Sequence, residues 1–288
     1  MIDYQSLRAL EAVIENQNFE IASQKLNISQ SAVSQRIQSF ESYLGQKLLI
    51  RKSPYRATDV GENYLKLLRK VSILESEIVN DRHQKPTVKI AINRDSLDLF
   101  FLKVLSDSSI SKLMSLQIIA DDQDETLKYI KSGQVDLCIS SKEKPLPNHI
   151  STKIGDMKYT LVCSKSFHNK YFISGVSKKT LSKAPLVTFD RFDKLQHTYI
   201  KEQFKTETFQ QINSMPSVLS FKQAILGGFG YGLVPFIDIQ KELKKKQLVQ
   251  LNPSKDFFVP LYIHQWEYQL EHMKFLTKKI TKVAEVLK

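Results

Sequence analysis

The stretch FEIASQKLNISQSAVSQRIQSFESYLGQKLLIR, residues 19–51, decides how this 288-residue chain is read. Phe19, Ala22 and Leu26 share one helical face, so a short amphipathic helix is expected over 19–26. Asn27-Ile28 breaks it. Ser29 then supplies an N-cap, and Val33, Ile37, Phe40 and Leu44 recur at helical spacing until Gly45, a residue suited to the left-handed C-cap. Upstream, Leu7, Leu10, Val13 and Ile14 mark a first helix from Tyr4 to Asn16. A short helix, a tight break and a longer helix opening with small polar residues is the helix-turn-helix pattern, here at about 19–38.

The third helix presents Ser29, Gln30, Ser31, Ser34, Gln35, Arg36 and Gln38 away from its apolar face. Short hydroxyls and amides can approach base edges, and arginine suits phosphate or guanine. Beyond it, residues 47–52 read as a strand, Ser53-Pro54 as a turn, and residues 56–58 as a short return. Such a β-wing carries Arg51, Lys52 and Arg56 toward the phosphates or the minor groove. The pattern alone also admits a trihelical protein-binding module with a polar third helix.

Further along, Thr58 can cap a helix whose Val60, Tyr64, Leu67, Val71, Leu74 and Ile78 alternate at +4 and +3. That spacing makes a coiled-coil seam, and hence a dimer, although the same face would serve a helix packed on its own domain. The polar run Asn80 to Pro86 ends the helix and makes a hinge. From Thr87 onward, strand-like and helix-like runs alternate: strands at 88–93, 116–120 and 135–140, with helices at 96–105 and 126–132. A second unit follows, with strands at 159–164, 186–189, 211–214 and 233–235 and helices at 193–204 and 217–226. This is α/β order with parallel strands. The glycine cluster Gly227 to Gly232 lies after a helix and before a strand, the reverse of a dinucleotide loop, and is read as a tight turn.

Composition excludes more than it selects. An apolar fraction of 42% and a charged fraction of 25% suit an ordinary globular protein. No N-terminal run resembles a signal peptide and no stretch approaches a membrane span, so a cytoplasmic, membrane-free protein is expected. Cys138 and Cys163 fall in strand-like apolar runs and are read as buried thiols; neither they nor the six histidines form a metal-ligand pattern. Neither nucleophile-elbow, zinc-protease nor phosphate-loop motifs occur, so no enzyme and no cofactor is expected. The net charge of +12 favours a polyanionic partner, yet residues 1–60 hold seven Lys/Arg and six Asp/Glu, a net of only +1. Charge alone therefore does not mark the N-terminal segment as DNA-binding; its residue pattern does.

The pattern in 19–51 resembles the DNA-binding signature of LysR-type regulators: A-x-x-L before the turn, S-Q-S-A-V-S-x-x-I on the third helix, the F-E-x-x-L-G exit and the L-L-x-R wing. The resemblance implies that Gln30, Ser31, Ser34 and Gln35 meet bases, while Ser29, Arg36, Arg51 and Lys52 meet the backbone. It implies a double-stranded operator, RNA polymerase as a partner, and a homodimer, assembled to a tetramer. The fold class expected is α+β: an all-α winged helix-turn-helix over 1–58, a linker helix over 59–82, and a two-lobed α/β sensing domain like periplasmic binding proteins over 87–288. Lobe 1 would comprise about 87–162 and 267–288, and lobe 2 about 163–266.

Ligands on such sheets sit beyond the carboxyl ends of strands. Those ends carry Asn93-Arg94-Asp95-Ser96, Asp121-Asp122, Phe189-Asp190 and Asn213-Ser214. Aspartates there suit a ligand with a positive group, though aspartate is also ordinary turn chemistry. Taken over its length, the chain is similar to the lysine- and arginine-responsive branch of the family, the ArgP/LysG regulators of amino-acid export. The matching stretches include DYQSLRALEAVI, N-x-D-S-L at 93–97 and KYFISGVSKKTLSKAPLVTFDRFD at 170–193. That likeness implies that Asn93, Asp95 and Ser96 hold the α-groups of lysine or arginine and that Asp122 and Asp190 receive the basic side chain. Asp193, Asn213 and Ser214 stand in a second tier. A different small-carboxylate effector, or a non-specific nucleoid protein, are the alternatives.

Overall fold

The computed structural model describes residues 2–78, 85–122, 125–189 and 193–287, apart from the side chains of 73 and 76–78. The chain divides into two compact units, Met1–Pro86 with Lys128–Asp136, and Thr87–Leu127 with Leu137–Lys288.

The first unit opens with α1 (Tyr4–Asn16), α2 (Phe19–Leu26) and α3 (Gln30–Leu44). Each begins on a side-chain cap: Asp3 accepts from the amides of Gln5 and Ser6, Asn18 from Glu20 and Ile21, and Ser29 from Ala32. Gly45 closes α3 at φ +65°, as its lack of a Cβ allows. Leu7, Leu10, Val13, Ala22, Val33, Ile37 and Phe40 meet in one apolar core, the faces read from their spacing. The wing is β1 (Leu49–Ile50) paired antiparallel with β2 (Arg56–Ala57), turned through a cis Ser53–Pro54 peptide.

Helix α4 (Asp59–Ile78) follows, with Thr58 Oγ1 accepting from the Gly61 amide at 3.1 Å. Its inward residues are Leu65 and Leu68, each 2% exposed, while Val60 and Tyr64 pack beside them against the same core. The first turns of the expected seam thus cover their own domain, because the core stripe and the seam stripe overlap there. Leu67 and Val71 are half-buried and Leu74 is exposed; the side chain of Ile78, and Asn80 to Gln84 of the expected hinge, lie outside the described residues.

The second unit begins with β3 (Thr87–Asn93), α5 (Arg94–Ser96), a π-helical turn (Leu97–Phe101) and α6 (Leu102–Leu105). Where one continuous helix over 96–105 was expected, the wider π turn buries Phe100 and Phe101 side by side. Then come α7 (Ser108–Leu113), β4 (Ser115–Asp121), α8 (Thr126–Lys131, shared with the first unit), β5 (Leu137–Ser140), β6 (His149–Ser164), α9 (Lys165–Tyr171) and α10 (Lys178–Lys183). The chain continues through β7 (Leu186–Thr188), α11 (Lys194–Phe204), β8 (Ile212–Ser214), α12 (Val218–Leu226), β9 (Tyr231–Pro235) and α13 (Phe236–Lys244). It closes with β10 (Leu248–Gln250), β11 (Phe257–Trp266), α14 (Glu271–Val283) and a 3₁₀ turn (Ala284–Leu287).

Nine of these strands form one sheet in the order β4-β3-β5-β11-β6-β9-β7-β8, with β10 on β6. The β4, β3 and β5 group is parallel, as is the β9, β7 and β8 group. The long strands β6 and β11 pair antiparallel along most of their length and join the two groups. The two lobes of the sequence reading are therefore halves of a single curled sheet. The helix-to-strand glycines make the tight turn expected of them; a Cβ on Gly230 would meet the Pro185 carbonyl at 2.6 Å. Cys138 and Cys163 are buried free thiols on β5 and β6, and burial pushes both up to about 12. Among the described residues no helix is long and apolar enough to cross a membrane.

Candidate functional site

In the first unit, Gln30, Ser31 and Gln35 stand exposed on α3, with Ser34 and Arg36 half-buried beside them. The Ser29 hydroxyl is engaged at the cap and lies 2.9 Å from the Ser31 hydroxyl. In the wing, Arg51 and Lys52 are exposed, and the Arg51 guanidinium lies 5.8 Å from the Phe19 ring on α2. What fixes the wing to α3 is Glu41, 2% exposed. Its Oε1 accepts from the backbone amides of Leu48 and Leu49 at 2.8 and 3.1 Å, and Lys47 reaches Oε2 at 3.1 Å. Burial pushes this carboxyl up, but the two amides and Lys47 outweigh it and hold it below the ordinary carboxylate value. Gly61 completes the joint: a Cβ there would lie 2.3 Å from the Leu48 carbonyl oxygen.

In the second unit, a cleft with about 720 Å³ of empty space opens between the two parallel halves of the sheet. It is lined at the ends of β3, β4, β7 and β9 and by the first turns of α11, α12 and α13. Five aspartates line it, Asp95, Asp121, Asp122, Asp193 and Asp238, against one basic residue among those described, Arg94. The walls are apolar, with Phe189, Leu195, Val218, Phe221 and Leu233. Apolar walls weaken screening, so nearby carboxylates raise the cost of ionising Asp95. Burial first, and then the carboxylates of Asp193, Asp238 and Asp98, raise it from 3.8 to about 6, against the Tyr159 hydroxyl that donates to Oδ2 at 2.5 Å. The Tyr159 phenol is itself held well above its ordinary value by burial and by Asp95.

The aspartates differ in how far they are committed. Asp193 is the N-cap of α11, accepting from Leu195 and Gln196 through Oδ1 and from Phe189 through Oδ2. Asp238 pairs with Lys222 at 3.0 Å, and Glu242 holds the same ammonium at 3.0 Å. Asp121 accepts the Asp122 amide at 2.8 Å, and Asp122 is exposed at the cleft. Asn93, 5% exposed, has a buried Oδ1 without a hydrogen-bond partner.

Of the residues named from sequence, Asn93, Asp95, Asp122 and Asp193 are brought together on the cleft wall. Ser96 is fully buried, off the wall, with its Oγ unpartnered. Asn213 and Ser214 lie on β8 away from the lining, where Asn213 donates to the Phe229 carbonyl and Ser214 to that of Phe189. Asp190 lies outside the described residues. Asn93 holds the cap position of α5 without a side-chain bond, and Asp95 turns to Tyr159. Sequence reasoning gave no role to Arg94, Tyr159, Gln196 or Asp238. The strand-end rule would have found Asp238, three residues past Pro235; nothing local marks Tyr159, which reaches the cleft from the middle of β6. Gln196 bonds both the amide and the carbonyl of Leu233 and so fixes β9 beside the cleft. Among the described residues no three His, Cys, Asp or Glu side chains converge closely enough to hold a metal ion.

Comparison with known proteins places this architecture. Residues 4–62 match "Bacterial regulatory helix-turn-helix protein, lysR family", and residues 112–266 match "LysR substrate binding domain". The HTH-type transcriptional regulator ArgP of Vibrio cholerae is 34% identical over 290 residues, covering 99% of this chain and 97% of that protein. The crystal structure of ArgP from Mycobacterium tuberculosis has a TM-score of 0.89 at 28% identity, covering 100% of this chain and 99% of that one. Full-length LysG from Corynebacterium glutamicum, solved with bound effector Arg, has a TM-score of 0.80 at 26% identity, with 99% of each chain covered. Matched by two family profiles and by a relative over nearly its whole length, the chain belongs to the LysR family of bacterial helix-turn-helix regulators.

Proposed function

We propose that this DNA-binding transcriptional regulator takes lysine or arginine as its effector and controls genes of basic amino-acid export or metabolism. The observation that carries this is the cleft: five aspartates against one arginine among its described lining residues, in a chain whose net charge is +12. Such a site selects a ligand with positive groups and apolar methylenes. LysG with its bound arginine supports the same ligand class. In this reading Asn93 Oδ1 and Asp95 receive the α-ammonium, and Asp122 receives the basic side chain, with Asp190 assigned alongside it. Ser96 and Asp193 hold the wall in shape, and Asn213 and Ser214 act on β8 behind it.

At the other unit, Gln30, Ser31, Ser34 and Gln35 read bases, and Ser29, Arg36, Arg51 and Lys52 hold phosphates. Leu67, Val71, Leu74 and Ile78 on α4 carry the dimer seam, beyond the first turns where Val60 and Tyr64 pack on their own domain. The active form is a cytoplasmic homodimer, assembled to a tetramer, that engages RNA polymerase on the operator. The effector acts by binding one of two arrangements better than the other, since equal affinity for both would shift nothing.

Operator selection from random duplexes tests this reading. Selection should yield a defined sequence, and lysine or arginine, unlike leucine, should change the footprint on it. Binding without sequence preference would mark a nucleoid protein. An unaltered footprint would remove basic amino acids as effectors.

A further inference from the structure

Resting on the effector reading above, we infer that Arg94 is the specificity residue that admits basic amino acids and rejects the amines made from them by decarboxylation. Five carboxylates favour any cation with an apolar stem, so they cannot by themselves tell lysine from cadaverine, or arginine from agmatine. They also repel a carboxylate. A ligand that carries one enters this cleft only if a positive group receives it, and Arg94 is the one basic residue among the described lining residues.

Its state fits the task. Arg94 directly follows Asn93, at the carboxyl end of β3. Its guanidinium lies 5.1 Å from the centroid of the Phe189 ring, which follows β7 in the other half of the sheet, and Arg94 is exposed at the cleft. Among the described residues it forms neither an ion pair nor a hydrogen bond through its side chain. Lys222, which reaches the lining residue Asp238, is spent on Asp238 and Glu242. A planar guanidinium takes a carboxylate through two parallel hydrogen bonds. With the carboxylate on Arg94, the α-ammonium falls to Asn93 and Asp95 next in the chain, and the side-chain cation points to Asp122.

The test is calorimetric titration of the full-length protein and its Arg94→Met and Arg94→Lys variants with lysine, cadaverine, arginine and agmatine. Methionine keeps much of the stem on the Phe189 ring and removes the charge; lysine keeps the charge and removes the fork. Wild type should prefer each amino acid over its amine by about 10- to 100-fold, the worth of one or two charge-assisted hydrogen bonds. Arg94→Met should bring that preference to near parity while binding the amines at least as well as wild type, which also shows that it is folded. Arg94→Lys should keep part of the preference. If Arg94→Met retains the full preference, or if wild type binds amines as tightly as amino acids, the inference is overturned and recognition of cations stands. If wild type binds neither amino acids nor amines, the effector reading falls and takes the inference with it.

Discussion

Replacing Asp95 by Asn should stabilise the ligand-free protein and cripple its response to effector. Asp95 is held at about 6 against an ordinary 3.8, so above both values its ionisation costs the folded state about 3 kcal/mol. The sign follows from proton counting. Between the two values the folded chain holds a proton that the unfolded chain has released, so stability falls as pH rises from about 4 to 6 and then levels. Asparagine has nearly the same shape, still accepts from Tyr159, and never ionises. At pH 8 the variant should therefore be the more stable by up to about 3 kcal/mol, or roughly 5–10 °C for a domain of this size. At pH 5, where Asp95 in the wild type is largely protonated, the advantage should shrink to about half. Saturating lysine should reverse the order, because it stabilises only the protein that binds it well. Thermal unfolding of both proteins at pH 5 and 8, with and without lysine, reads all of this. A variant less stable than wild type at pH 8, or a gap of the same size at both pH values, would refute the reasoning.

Glu41→Ala leaves the buried Leu48 and Leu49 amides without an acceptor and should cost about 2–4 kcal/mol in the first unit, measured by urea unfolding, with Glu41→Gln losing less. Because this carboxyl is held below its ordinary value, its contribution is present at neutral pH and is lost as pH falls through the folded value. Gly61→Ala should weaken operator binding by pushing the wing off α4, since the obstacle is the Leu48 backbone rather than a movable side chain. Arg51→Ala should weaken binding to every duplex and lower the salt slope by about 1, whereas Gln30→Ala should relax choice at one base position by about 1–3 kcal/mol.

The N-terminal helices were legible because each carries its own punctuation: Asp3, Asn18 and Ser29 cap, Gly45 terminates, and the apolar spacing has a single face. Helix α4 was legible as a helix but not in its facing, since Leu65 and Leu68 run beside the Val60–Tyr64–Leu67 stripe and only packing tells them apart. In the sensing domain, β6 was half-read. Its first half, HISTKIG, is polar enough to look like loop, and it is a strand because β11 pairs with it. Helices α13 and α14 were missed although α14 buries Met273, Leu276 and Ile280 at helical spacing. Strands β10 and β11 were missed because long-range pairing with β6, not local periodicity, sets them. The same holds at the cleft. Strand-end aspartates can be found by rule, but what each one binds is a tertiary fact: Asp193 caps a helix, Asp238 pairs with Lys222, and Asp95 accepts from Tyr159.

Calorimetric titration of the full-length protein with lysine, arginine, histidine and leucine tests the effector site most directly. Saturable one-site binding of lysine or arginine, lost on Asp95→Asn or Asp122→Asn while DNA binding without effector survives, is the predicted result. Absence of binding by either basic amino acid, or binding indifferent to both aspartates, would contradict the claim that this acidic cleft is the effector site.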